Sequence, residues 1–256
     1  MLHHNATQMK ATGRTFPSVK KLVCTGGSVS RGVQELLLDQ FKPNSFRNLY
    51  GLSEGLASLT YTPANEICFD NIGFLGCNVR IKVIDRETGI SLGTGDHGEL
   101  CVRTPSIIRG YPRKGQAPLP AVDEDGWLHT GDLGLYDDNG CFHYVERLKN
   151  IIKCFDYNVA PSEIEDVLLQ HPGVEEAVVV ATPHPVCYEA PTAFVVRTKD
   201  LMSGASATED ELKEYVAGQL AFYKHLHGGV YIVDKIAKTA NGKISREQMK
   251  HYLKNL

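Results

Sequence analysis

The tightest local constraint on this chain is the stretch "DDNGCFHYVE", Asp137 to Glu146. Asn-Gly ahead of an alternating apolar run demands a tight turn, because glycine takes positive φ without steric cost. A hairpin is therefore predicted here, and the residues before Asp137 must form its other strand. Upstream, "VRIKVID" (Val79–Asp85) alternates apolar and polar residues as a half-buried strand does. "RETG" reads as a turn and "GELCVRT" as a further strand. The middle of the chain is thus β-rich, interrupted by a long polar loop from Tyr111 to Gly126. Loops of that length in a compact domain are usually functional or mobile.

On either side the texture changes. "VKKLVC" (Val19–Cys24), "TGGS" and "SRGVQELLLDQF" read as strand, turn and helix. Val33, Leu36, Leu37 and Phe41 share one helical face, and Ser30 is the expected cap. "NLYG" reads as a short strand. After Glu146, "PSEIEDVLLQHP" predicts a helix with Pro161 in its first turn and Ile164, Val167 and Leu168 as its apolar face. "VEEAVVVATP", "TAFVVRT" and "GVYIVD" read as strands. "TEDELKEYVAGQL" has Thr208 and Glu211 at capping-box spacing, and "SREQMKHYLKN" closes as a helix. The fold class expected is mixed α/β, in two domains: residues 1–146, and residues 147–256 as a small α/β unit.

At 256 residues both domains can bury a core. A net charge of -3 gives no electrostatic case for nucleic acid as main partner. No apolar run approaches the roughly 18 residues of a membrane span. The seven cysteines include no C-x-x-C pair, so neither a disulfide framework nor a zinc site is expected and a reducing compartment fits. Lys254-Asn255-Leu256 faintly resembles a peroxisomal tripeptide, leaving cytoplasm or peroxisome as the expected location.

Four segments stand out: "YGLSEG" (Tyr50–Gly55), "DEDGWLHTGDLG" (Asp123–Gly134), "YVERLKNIIK" (Tyr144–Lys153) and "KTANGKISRE" (Lys238–Glu247). Each alone has a plain structural reading: a capped turn, an Asx turn, a solvated charged strip, a loop tip. Together they supply what nucleotide chemistry needs. Tyr50 can stack a base, Asp132 can hold ribose hydroxyls, Ser53 and Glu54 can face phosphate and Mg²⁺, and Lys243 can meet charge at an α-phosphate.

In this order and spacing the segments resemble the adenylate-forming superfamily: acyl- and aryl-CoA synthetases, firefly luciferases and peptide-synthetase adenylation domains. "KLVCTGGSVSRGV", "DRETG", "GTGDHGELCVRTPSIIRGY" and "VAPSEIEDVLLQHPGVEEAVVV" agree. The texture is most similar to 4-coumarate–CoA ligase-like and luciferase-like members. The resemblance implies ATP, Mg²⁺ and CoA as cofactors and a small carboxylic acid as substrate. It implies adenine stacking on Tyr50, beside the backbone of Gly51 and of Gly26, Gly27 and Ser28. Ser53 stands where the family usually has threonine. Glu54 is implied to help hold Mg²⁺, Asp132 and Arg147 to reach the ribose, and Lys149 to lie at a hinge. Lys243 is implied to be the adenylation lysine on a mobile C-terminal lid, and Lys153 to serve the second half-reaction.

Departures limit the likeness. The family's Ser/Thr/Gly-rich phosphate loop ending in Lys-Gly is absent, so the chain resembles only the C-terminal half of a member. Exposed strands then favour self-association. Glu146 stands for the usual hinge aspartate, Phe155-Asp156 for a Lys-Gly pair beside the CoA tunnel, and Ala237 for a proline. Two alternatives to an acid–thiol ligase stay open: a non-catalytic remnant that binds nucleotide weakly or serves as an interaction partner, and a peptide-synthetase module.

Overall fold

A computed structural model describes residues 16–27, 29, 31–114, 116–198 and 207–253. Ser28, Ser30 and the C-terminal tripeptide lie outside the described residues. The architecture is mixed α/β. The chain divides into two compact units, Thr15–Val29 with Phe41–Lys149, and Ser30–Gln40 with Asn150–Leu256.

In the first unit β1 (Lys21–Thr25) and β2 (Ser45–Leu52) pair in parallel; helix α1 (Arg31–Phe41), between them in sequence, falls almost wholly in the second unit. β3 (Ala57–Tyr61) and β4 (Phe74–Leu75) extend this sheet antiparallel. A second sheet contains β5 (Arg80–Ile84), β6 (Gly98–Arg103), β9 (Leu128–Tyr136) and β10 (Phe142–Arg147), in the order β10-β9-β6-β5. The Asn-Gly hairpin is β9–β10. Asp137 N donates to Cys141 O at 2.9 Å, and Gly140 takes φ +77°. Gly98 and Gly134 face each other across β6 and β9. A Cβ at either would fall 2.3 Å from Ile84 O or 2.5 Å from His143 O, so no larger residue fits. Tyr50, Leu59, Val83, Leu100, Val102 and Phe142 form one buried core for both sheets.

Two local expectations are corrected. Residues 111–126 are not one long loop: β7 (Gly110–Arg113) and β8 (Gln116–Pro120) pair antiparallel within them. β5 does not alternate cleanly either, because Val83 and Ile84 are both buried. Ile84 lies at the end of the strand, where Asp85 turns the chain back. Asp85 Oδ1 accepts from Glu87 N, Thr88 N and Thr88 Oγ1, the last two at 2.8 Å. These bonds, first among them that from the Thr88 backbone, hold the Asp85 carboxyl below its ordinary pKa.

The second unit is built on a long hairpin, β13 (Val174–His184) with β14 (Tyr188–Arg197). β11 (Ile152–Cys154) and β12 (Tyr157–Val159) continue the sheet, and β15 (Val230–Ile232) joins β14 in parallel. The run Val178-Val179-Val180 is apolar throughout because both faces of the sheet are covered. Val179 packs with Ile164 and Leu168 of α2 (Pro161–Gln170) and with Leu212 and Val216 of α3 (Glu209–Ala217). Val178 and Val180 pack with Phe194, Ile236 and Met249, the last from α4 (Arg246–Leu253). Thr208 caps α3, accepting from Glu211 N at 3.2 Å. Glu165 of α2 ties three elements together. Its Oε1 accepts from Val179 N at 2.7 Å, and Arg246 Nη2 lies 3.0 Å from both carboxylate oxygens. The seven cysteines carry no disulfide.

Candidate active site

The β9–β10 hairpin sets its Asp132 and Arg147 directly opposite each other, with a bulge between Tyr144 and Glu146 adjusting the register. Two motifs 15 residues apart in sequence therefore meet through one turn. Tyr50, from β2, completes the group: its hydroxyl donates to Asp132 Oδ2 at 2.6 Å. Asp132 is 1% exposed. Its backbone N–H donates to Thr130 Oγ1 at 3.0 Å, and Thr130 Oγ1 donates to Leu100 O at 2.7 Å.

Arg147 makes one hydrogen bond and one ion pair. Nη1 donates to Thr130 O at 2.8 Å, while Nε lies 2.9 Å from Asp132 Oδ1. That second contact is an ion pair without hydrogen-bond geometry, and Oδ1 is buried with no donor among the described residues. The two charges are close enough to attract, but the N–H is not aimed at the oxygen. Alignment decides what Oδ1 can still accept, and it leaves the oxygen one bond short. Burial raises the Asp132 carboxyl above its ordinary pKa, against the Tyr50 hydrogen bond and the Arg147 charge, which pull it down. Burial first, then the Asp132 carboxylate, holds the Tyr50 phenol well above its usual range.

Ser53, Glu54 and Gly55 form a single 3₁₀ turn after β2, closed by Leu56 in the left-handed region at φ 52°. Glu54 Oε1 accepts from Tyr111 Oη at 2.9 Å, and Glu54 O accepts from Ile108 N at 2.9 Å. Ser106 Oγ donates to Gly55 O at 2.6 Å, pinning the turn's end. Gly51 and Ser53 are exposed, as are Gly26 and Gly27 just after β1. Lys149 is exposed in a 3₁₀ turn following β10.

Lys153 and Lys243 belong to the second unit. Lys153 is exposed on β11, its backbone N–H bonded to Glu189 Oε2 at 2.8 Å. Lys243 is exposed at the end of a closed loop. Thr239 N donates to Lys243 O at 2.7 Å, Lys243 N donates to Thr239 Oγ1 at 3.2 Å, and Gly242 takes φ +78°. Phe155 and Asp156 both take positive φ, and the Phe155 ring lies 5.1 Å from Phe222 and 5.2 Å from His227.

Sequence reasoning missed four residues that shape the site. Thr130 organises Asp132, and its only signal is its place in "HTGD". Glu99 holds the same turn from β6, accepting from Gly131 N at 2.9 Å. Tyr111 reaches Glu54, and Tyr144 lies 6.4 Å from Tyr50, ring centre to ring centre.

Comparison with known proteins gives the chain its class. Residues 1–112 match the family of AMP-binding enzymes, and residues 163–243 match the AMP-binding enzyme C-terminal domain. The chain belongs to the adenylate-forming superfamily, in which its relatives are luciferases and 4-coumarate–CoA ligases. It is 41% identical over 236 residues to luciferin 4-monooxygenase of Nipponoluciola cruciata, covering 91% of this chain and 42% of that one. It is 40% identical over 185 residues to 4-coumarate-CoA ligase 1 of Narcissus pseudonarcissus, covering 72% and 33%. Among solved structures, ATP-bound MatB from Rhodopseudomonas palustris superposes with a TM-score of 0.81 at 28% identity, over 91% of this chain and 45% of that one. The o-succinylbenzoate CoA synthetase of Bacillus subtilis, with its acyl-adenylate intermediate, gives 0.79 at 27%, over 96% and 49%. The chain spans less than half the length of these relatives.

Proposed function

We propose that this chain is the C-terminal portion of an ATP-dependent acyl- or aryl-CoA ligase, with residues 1–146 forming one wall of the adenylation site and residues 147–256 a mobile lid. The observation that carries the reading is Asp132 Oδ1, a buried carboxylate oxygen lacking a donor beside Arg147. A ribose hydroxyl supplies that donor, and Arg147 remains to offset the carboxylate's charge. Tyr50 fixes the carboxylate and presents an aromatic ring beside it.

Glu54 offers one carboxylate next to a hydroxyl, Ser53. Mg²⁺ commonly takes one or two protein carboxylates and completes its shell with phosphate oxygens and water, so these residues fit it. The ion would neutralise phosphate charge there. Lys243, on its hydrogen-bonded loop, would place an ammonium at the α-phosphate as the substrate carboxylate attacks and pyrophosphate leaves. CoA would then displace AMP from the acyl-adenylate, forming the thioester. Lid movement about Arg147–Lys149 would exchange Lys243 for Lys153 between the two half-reactions.

The test is carboxylate-dependent ATP–pyrophosphate exchange in a polypeptide that carries the phosphate loop upstream of this chain. Lys243→Ala is expected to reduce exchange about a hundredfold or more. Exchange at the unsubstituted rate refutes the role of Lys243.

A second reading, a remnant without thioester chemistry, draws on one observation. Phe155 sits in an aromatic cluster at the position where the superfamily pattern has a Lys-Gly pair. This reading is favoured if the longer polypeptide forms acyl-adenylate but no CoA thioester, and is refuted by thioester formation. Peroxisomal import through Lys254-Asn255-Leu256 is a separate proposal, tested by moving that tripeptide to a fluorescent carrier.

A further inference from the structure

Glu99 and Cys101 are two apart on β6 and so project to one face of the sheet. His129 on β9 is the register partner of Cys101. Three donors of different chemistry therefore converge: a carboxylate, a thiol and an imidazole. Cys101 Sγ lies 3.6 Å from His129 Nδ1, and His129 Nδ1 lies 3.2 Å from Glu99 Oε2. All three donor atoms fall within 4.8 Å of one another. A tetrahedral Zn²⁺ with Zn–S about 2.3 Å and Zn–N or Zn–O about 2.0 Å sets sulfur and nitrogen about 3.6 Å apart, and nitrogen and oxygen about 3.3 Å apart. The two separations measured from His129 Nδ1 match edges of such a tetrahedron.

The surroundings complete the pattern. The other imidazole nitrogen, Nε2, lies 3.2 Å from Asp123 Oδ2. A carboxylate on the far nitrogen orients a metal-bound histidine and fixes its tautomer. The second Glu99 oxygen is held by Gly131 N, so the carboxylate presents Oε2 to the other donors. The His129 side chain is 46% exposed, which gives an ion a way in and leaves a fourth position for water.

We propose that Glu99, Cys101 and His129 form a Zn²⁺ site, with Asp123 as the group that orients His129. Thiolate with imidazole and carboxylate selects Zn²⁺ over Mg²⁺, which avoids sulfur. No C-x-x-C signature marks the site, because its donors come from two neighbouring strands, with Cys101 and His129 28 residues apart. The site adjoins the group around Asp132 and shares Glu99 with it, since the other Glu99 oxygen accepts from Gly131 N. A second convergent group, Asp137, Cys141 and His143, serves as the control. There too both imidazole nitrogens face oxygens, Asp70 O at 3.0 Å and Asp137 Oδ2 at 3.3 Å, but the Cys141 thiol donates to the backbone carbonyl of Phe142 at 3.9 Å, whereas that of Cys101 contacts its imidazole.

The experiment uses the 256-residue chain stripped with a chelator. Zn²⁺ is titrated against a chromophoric chelator, and Co²⁺ is added separately as a spectroscopic probe. One equivalent of Co²⁺ should give a thiolate-to-metal charge-transfer band. Cys101→Ser should abolish the band, and His129→Gln should weaken Zn²⁺ binding at least about tenfold. Asp123→Asn should weaken it about tenfold or more, as expected for an orienting carboxylate. Cys141→Ser and His143→Gln should leave both readouts unchanged. His129 is half exposed, so its variant is expected to fold and decides the matter if Cys101→Ser does not. The proposal is overturned if no stoichiometric Zn²⁺ binds, in which case His129 merely bridges two carboxylates. It is equally overturned if binding survives His129→Gln or is lost in the control variants.

Discussion

At the scale of single residues, the decisive group is Asp132, and its behaviour follows from burial. Tyr50→Phe removes the donor to Oδ2. An unsatisfied buried acceptor costs about 1–3 kcal/mol, so the variant's urea midpoint should fall accordingly. An unchanged midpoint would show that the bond contributes no net stability. The raised carboxyl pKa also has a definite sign. A group whose folded pKa lies above its unfolded value, about 3.9 for aspartate, stabilises fully below the unfolded value. That contribution is lost as pH rises through the folded pKa. Asp132→Asn does not titrate, so its stability relative to the parent chain should improve with rising pH across that window. A difference between the two chains that is flat with pH would contradict the assignment. That Asp132 and Arg147 flank one hairpin was legible from the Asn-Gly turn, but that they face each other was not, because the bulge between Tyr144 and Glu146 sets the register. The Tyr50 bond was not, because 82 residues separate the partners and only the packed sheets bring them together.

At the scale of elements, Glu165 shows how the second unit is stitched. It joins α2 to a β13 backbone amide and to Arg246 of α4. Glu165→Leu should cost about 3 kcal/mol, the loss expected on breaking a buried pair from one side. Thermal unfolding followed by circular dichroism measures it, and a variant within about 0.5 kcal/mol of the parent would show the link to be dispensable. Helices here were readable from their signals: Pro161 at the start of α2, Thr208 capping α3. The β7–β8 ribbon was not, because its Pro- and Gly-rich text carries loop signals while tertiary pairing decides the backbone. β5 misled in the opposite way: its alternation predicts a half-buried strand, yet Val83 and Ile84 are both buried.

At the scale of the whole molecule, β1 stands at the end of its sheet, with Val23 on it 54% exposed. Among the described residues no strand covers its outer edge. Such an edge pairs with another chain unless charge or proline blunts it. The 256-residue chain is expected to elute as oligomers whose mass, by light scattering, rises with concentration, and Val23→Lys should shift it toward monomer. A strictly monomeric parent chain would overturn this.

The single tryptophan, Trp127, sits where its backbone N–H meets Asp123 Oδ1 at 2.7 Å and Lys82 Nζ stands 4.7 Å from the ring centre. It belongs to the first unit alone. Indole emission is therefore a selective optical reporter of that unit, while ellipticity averages over both. If the two units melt separately, the emission and ellipticity curves part, and the gap between them measures the coupling of the units without any added label.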